Sequence, residues 1–214
     1  RIECSAMSIK YLGEEFDIHG GGLDLKFPHH ENEIAQAECA TERNFASLWM
    51  HTGPLRIEDK KMSKSLKNFI TVKDILKDFH PEVLRLFFLL THYRSPISYS
   101  KEGLENAKRV LDKFYKLFSD IKTPRKLNED KTFREEFISA FQDDFNSPKA
   151  LSLLQAYAAN TESGGDLSSD KLFTLKVLLN SLGLLLDEAE NYFKYGEIEL
   201  SDREIEKLIS DRND

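Results

Sequence analysis

Two cysteines in a chain of 214 residues leave no room for a disulfide framework and point to a reducing compartment. No apolar run approaches the ~20 residues needed to cross a bilayer, and no charged-then-apolar leader with a cleavage site occurs. Nothing in the chain therefore asks for a membrane. Internal repeats and long low-complexity tracts are missing, which sets aside repeat arrays and disordered linkers. A basic excess is missing too. The net charge of −7 carries no global footprint for nucleic acid, although local basic patches can hold RNA on an acidic protein. Gly20-Gly21-Gly22 do not complete the G-x-G-x-x-G dinucleotide fingerprint. His30-Glu31 begins the metalloprotease pattern H-E-x-x-H, but Ile34 stands where the second histidine belongs, so a zinc protease is excluded. With 40% hydrophobic and 31% charged residues, the chain is globular and long enough for one large or two small domains.

Against these absences stands Lys61-Met62-Ser63-Lys64-Ser65. Two ammonium groups three positions apart, with hydroxyl residues beside them, suit a loop that closes over a polyphosphate. Lysine supplies a compact charge with three donors, and Ser63 and Ser65 add short hydrogen bonds to phosphoryl oxygens. A bare lysine–serine cluster would more often be a solvated surface loop; the complete string is more specific.

A second group lies upstream. Pro28 suits a first helical position, because its missing N–H would have no partner there. A helix running on through Ile34 and Ala37 puts His29 and Glu33 four apart on one face, with His30 about a third of a turn away. Thiolate, imidazole and carboxylate are ligand types that zinc accepts, so Cys4, His29 and Glu33 are metal candidates. On spacing alone, a surface His–Glu pair and an ordinary buried thiol remain the competing account.

Taken in order along the chain, Ile2-Glu3-Cys4-Ser5-Ala6-Met7, Phe16-Asp17-Ile18-His19-Gly20-Gly21-Gly22, Phe27 to Gln36, Trp49-Met50-His51, Lys61 to Leu66, Pro81 to Arg85, His92 to Pro96 and Asp143 to Asn146 resemble the cysteinyl-tRNA synthetases, class I aminoacyl-tRNA synthetases. The resemblance thins after about position 150. It implies ATP-dependent activation of L-cysteine and transfer to tRNA(Cys), in a cytoplasmic, monomeric enzyme. It implies zinc (Zn²⁺) held by Cys4, His29 and Glu33, ATP with Mg²⁺ as substrate, Lys61 and Lys64 as the catalytic pair, and Ser63 and Ser65 beside them on phosphate. His51 becomes a candidate adenylate contact and His19 a lining residue near bound cysteine. The family takes its fourth zinc ligand, and the H-x-G-H signature that this sequence lacks, from a segment nearer the N-terminus. The resemblance therefore implies the C-terminal half of such an enzyme, shortened at its end and inactive alone. Lys67 departs from the pattern, since relatives commonly carry glycine there. Two alternatives fit the same residues: the related ligase that joins cysteine to an amino-sugar in mycothiol synthesis, and a truncated paralogue that only binds tRNA.

The fold expected is α/β followed by all-α: the C-terminal part of a Rossmann-type catalytic domain over 1–70, a connecting stem-contact segment over 71–99, and an antiparallel helical bundle over 100–214. Arg1 and its neighbours read as a strand, Phe16 to His19 as a strand entering a glycine turn, and Trp49 to Gly53 as the end of the next strand. Asp24 reads as a helix cap ahead of Pro28 or as a contact to the substrate, with the cap preferred, and Cys39 as a packing residue. Leu104, Ala107, Val110, Leu111, Phe114, Leu117 and Phe118 form one helical stripe, opposite Lys108, Arg109, Lys113 and Lys116. Arg94 reads equally as a tRNA contact or a partner for a carboxylate.

Overall fold

A computed structural model describes residues 2–57, 60–61, 70–119, 128–162 and 169–196. The chain opens with helix α1 (Ile2–Leu12), where a strand was expected. Glu3 in its first turn and Lys10 in its last both complement the helix dipole, and Cys4 to Met7 contain no β-branched residue. The Ser5 hydroxyl donates to Gln36 Oε1 at 2.9 Å, tying α1 to helix α2 (Glu31–Thr41).

Strand β1 (Phe16–Gly22) pairs in parallel with β2 (Ala46–Thr52), and α2 makes the crossover between them. The glycine triplet is part of β1 and not a turn after it: Gly20, Gly21 and Gly22 face Met50, His51 and Thr52 in register. A 3₁₀ turn (Leu23–Leu25) and a single π-helical turn (Lys26–His30) lead into α2, so that helix begins after Pro28 rather than at it. Phe27 is extended at φ −136° and ψ 135°, which interrupts helical geometry just before the proline. A second small sheet has the order β4–β3–β5, with β3 (Leu55–Ile57) antiparallel to β4 (Lys60–Lys61) and parallel to β5 (Ile97–Tyr99).

The rest is helical: α3 (Val72–Ile75), α4 (Pro81–Leu89), α5 (Lys101–Ser119), α6 (Lys131–Gln142), α7 (Ser147–Glu162), α8 (Ser169–Ser181) and α9 (Ala189–Phe193). Start signals are local. Thr71 caps α3, His80 caps α4 ahead of Pro81, and Asp130 caps α6, each side chain accepting a backbone N–H. The expected stripe of α5 faces the core, where Leu104, Ala107, Leu111 and Phe114 are joined by Tyr115. Leu84, Leu86 and Phe87 of α4, Leu151 and Leu154 of α7, and Leu175 and Leu179 of α8 fill the same core. Among the described residues, no helix is long and apolar enough to cross a membrane.

One carboxylate sits inside this core. Glu82 Oε2 accepts from the Tyr115 hydroxyl at 3.0 Å and from the Leu185 N–H at 2.7 Å, while Oε1 accepts from the Leu186 N–H at 2.9 Å. It thereby satisfies the chain just after α8, where Gly183 turns with φ of +72° and lets the Arg85 side chain lie close against it. Burial and the neighbouring Glu82 push the Tyr115 hydroxyl well above its usual range. Glu82→Ala leaves two buried donors and one part-buried donor unpaired, and we expect a loss of about 2–4 kcal/mol, read from the urea midpoint. Glu82→Gln, which keeps acceptor capacity, should lose clearly less.

Candidate zinc and nucleotide site

The carboxyl ends of β1 and β2 carry the side chains singled out in the sequence. His19 leaves β1, Trp49 stands opposite it in register, and His51 follows on β2. Packing of α1 on α2 brings Cys4 beside the first turns of α2. There Cys4, His29 and Glu33 each offer a ligand atom, all within 4.8 Å of one another. The four-residue spacing brings His29 Nε2 to 3.6 Å from Glu33 Oε1.

A second group shares the same glutamate. His19, His30 and Glu33 also offer atoms within 4.8 Å, with His19 Nε2 at 3.2 Å and His30 Nε2 at 4.0 Å from Glu33 Oε2. Neither imidazole makes an aligned hydrogen bond to that oxygen. Glu33 Oε2 is thus buried without a donor, on a side chain only 1% exposed. An orphaned carboxylate oxygen at this depth asks for a cation. Cys4 Sγ, an imidazole nitrogen of His29 and a Glu33 carboxylate oxygen are the mixed soft and borderline set that zinc takes in tetrahedral sites with a position to spare, and a cation among them offsets the carboxylate's unmet charge. The residues fit the metal.

His30 was the residue that spacing alone undervalued. It is buried at 3% exposure, and its Nδ1 lies 2.8 Å from His51 Nε2. Its ring also meets the edge of the His19 ring at a centroid distance of 4.9 Å. Burial first, and then the adjacent His19, lower the His30 pKa. Burial and Lys26 do the same to His51. Both rings are held towards the neutral form, in which one can donate to the other. The signal for His30 was Gly21, which faces His51: a β-carbon there would stand 2.8 Å from His30 Cε1. The glycine makes room for the imidazole and needs no positive φ.

Beside the histidines, Leu23, Asp24, Pro54 and Arg56 line a cavity of about 300 Å³. It lies at the carboxyl ends of β1 and β2, where open α/β sheets bind ligands. The expected capping role of Asp24 gives way here. The cap positions are Gly22 and Leu25, neither with a side-chain cap, and Asp24 lines the cavity instead. Cys39 is also corrected: it is exposed on α2, not packed, because the buried face of that helix is taken by Glu33 and Ala37. Lys61 lies in β4, while Ser63, Lys64 and Ser65 fall outside the described residues. Arg94 meets a carboxylate, with Nε 2.7 Å from Asp144 Oδ2.

Residues 1–109 match the family model described as tRNA synthetases class I (C) catalytic domain, and residues 136–188 match the DALR domain. The chain belongs to the class I tRNA synthetases. It is 47% identical to the cysteine–tRNA ligase of Hydrogenovibrio crunogenus over 215 aligned residues, covering 99% of this chain and 46% of that protein. A cysteine–tRNA ligase of Legionella pneumophila is also 47% identical, and one of Francisella philomiragia 45%, each over 99% of this chain. The chain spans about half the length of these curated relatives. A LeuRS of Agrobacterium radiobacter, solved in a ternary complex with tRNA and LeuAMS, superposes with a TM-score of 0.61 over 86% of this chain and 28% of its own. At 18% identity that likeness speaks for the fold alone. In this class I synthetase chain, catalytic-domain sequence is followed by a helical DALR domain.

Two measurements probe the site. Gly21→Ala drives a β-carbon into His30, and we expect it to lower stability by about 1–3 kcal/mol and to shift the imidazole NMR signals of both His30 and His51. Cys4→Ser should reduce zinc retained through dialysis, whereas Cys39→Ser should leave it unchanged; equal retention in both would remove Cys4 from the ligand set.

Proposed function

We propose that this chain works as part of a cysteine–tRNA ligase, forming cysteinyl adenylate from L-cysteine and ATP and passing the cysteinyl group to tRNA(Cys). The observation that carries the reading is the convergence of Cys4, His29 and the half-satisfied Glu33 carboxylate at the end of a parallel strand pair. The similarity to cysteine–tRNA ligases along 99% of the chain supports it. No described feature favours the amino-sugar ligase.

Cysteine and serine differ only in sulfur against oxygen, and a pocket of fixed shape separates such near-isosteres poorly. When bound, zinc supplies a soft Lewis acid that favours a thiolate over a hydroxyl. The chain's own residues do the remaining work. Cys4, His29 and Glu33 would hold the metal, their ligand atoms already gathered within 4.8 Å of one another. His19 and Trp49, with ring centroids 4.5 Å apart, wall the sulfur side and exclude water. His30 fixes the His51 ring through the 2.8 Å contact, at the mouth where the nucleotide arrives. Lys61 and Lys64, with Ser63 and Ser65, neutralise the phosphates and the departing pyrophosphate of Mg²⁺-bound ATP.

Residues 1–70 serve as the second half of the catalytic domain, 71–99 as the connection to it, and 100–214 as a helical bundle that receives tRNA. Parallel strands are ordinarily covered on both faces. Ile18 and Leu48, register partners on β1 and β2, remain 55% and 47% exposed, which supports a larger catalytic domain closing over that face.

In the full-length protein, we expect Lys64→Ala to depress cysteine-dependent ATP–pyrophosphate exchange by about 10²-fold or more with zinc content unchanged. Wild-type protein that exchanges pyrophosphate equally well with serine, or that holds no zinc, would count against the proposed function.

A further inference from the structure

The turn between α6 and α7 holds two consecutive non-glycine residues in the left-handed region, Asp144 at φ +55° and Phe145 at φ +53°. Aspartate tolerates that region through its short side chain, but a bulky phenylalanine is rarely found there, and such conformations persist only where surrounding bonds hold them. Phe145 gains little burial in exchange, since it is 51% exposed. The turn closes α6, where the Phe145 and Asn146 N–H groups donate to the Phe141 and Ala140 carbonyls, and it places Asp144 at the surface facing the 91–96 connection.

Three side chains from the 91–96 connection converge on that one residue. The Tyr93 hydroxyl donates to Asp144 Oδ1 at 2.7 Å. Arg94 donates from Nη2 to the same oxygen at 3.1 Å, and its Nε lies 2.7 Å from Oδ2. His92 Nε2 lies 2.9 Å from the Asp144 carbonyl oxygen. Arg94 Nε also donates to the Tyr93 hydroxyl at 2.8 Å, so the donors brace one another. The Tyr93 hydroxyl first, and Arg94 after it, hold the Asp144 carboxyl below the usual carboxylate range.

The other end of this connection is fastened to the candidate site. The Tyr93 carbonyl accepts from the Gly53 N–H at 2.7 Å, and the Pro54 carbonyl accepts from the Ile97 N–H at 3.0 Å. Gly53 is the residue after β2, two positions beyond His51. A β-carbon on Gly53 would overlap the Ser95 carbonyl, so the two backbones are pressed together there. Pro54 in turn lines the cavity with Asp24 and Arg56.

We infer that Asp144 is a positioning residue: through Tyr93 and Arg94 it locks the 91–96 connection against the end of β2, so that the helical part fixes where His51 and the cavity wall stand. The inference rests on the proposed function only for its catalytic consequence; the mechanical link stands on the bonds themselves. Each bond is solvent-exposed and individually weak. The link depends on their convergence on one residue held by a strained turn.

Residue-resolved hydrogen exchange in the full-length protein tests it. Asp144→Gly suits the left-handed backbone while removing every side-chain bond, and Asp144→Asn keeps one acceptor without the charge. Leu175→Ala in α8, a buried core position carrying no clasp residue, controls for general loss of stability. The expected result is exchange at the Gly53 amide faster by roughly fivefold in Asp144→Gly, faster by less in Asp144→Asn, and no faster than global unfolding accounts for in Leu175→Ala. Unchanged exchange at Gly53 in Asp144→Gly, or an equal rise in Leu175→Ala, overturns the inference. In tRNA charging, Asp144→Gly should lower kcat severalfold with the KM for cysteine held, and Asp144→Asn should restore part of it; a rise in KM alone also overturns it. Wild-type protein inert towards cysteine would sink the proposed function, and exchange at Gly53 would still decide the link.

Discussion

Burying a carboxylate costs several kcal/mol unless cations or hydrogen-bond donors meet its oxygens, and Glu33 is buried almost completely with one oxygen left without a donor. Around that side chain the candidate site is arranged. One oxygen turns towards His29 and Cys4, the other towards His19 and His30, and the rings of Trp49 and Phe45 close the space behind. A purely structural helix would not retain such a group, because an apolar residue of similar size would fill the same volume at less cost. The arrangement makes sense when a cation completes it.

The helical part solves a similar problem differently. Glu82 is as much a buried carboxylate as Glu33, yet all its demands are met by the Tyr115 hydroxyl and two backbone N–H groups. One carboxylate is therefore a closed structural junction between α4, α5 and the end of α8, and the other keeps an oxygen unmet among Cys4, His19, His29 and His30. The contrast separates architecture from chemistry within a single chain: satisfied groups hold helices together, and the unsatisfied one marks the site.

Legibility followed the range of the interactions. The four-residue spacing of His29 and Glu33 and the stripe of α5 depend on neighbours a few positions away, and each could be read from local pattern. The first helix was misread as a strand because its stabilising partner, Gln36, lies more than thirty positions away. Cys39 was misjudged for a related reason. Composition around it is that of a packed helix, but the buried face of α2 is set by where α1 and β1 lie. The glycine triplet suggested a turn, whereas the strand uses its missing side chains to admit the His30 ring.

By itself the sequence determined the four-residue spacing of His29 and Glu33, the family, and the succession from mixed to helical structure. These rest on local chemistry and short-range periodicity, which the order of residues contains outright. Tertiary structure alone decided that His30 joins His51, that Glu33 keeps an oxygen unmet, that Asp24 lines a cavity instead of capping a helix, and that Arg94 is committed to Asp144. Those outcomes depend on which distant segments come to share a few ångströms, and that is set only when strands pair and helices pack.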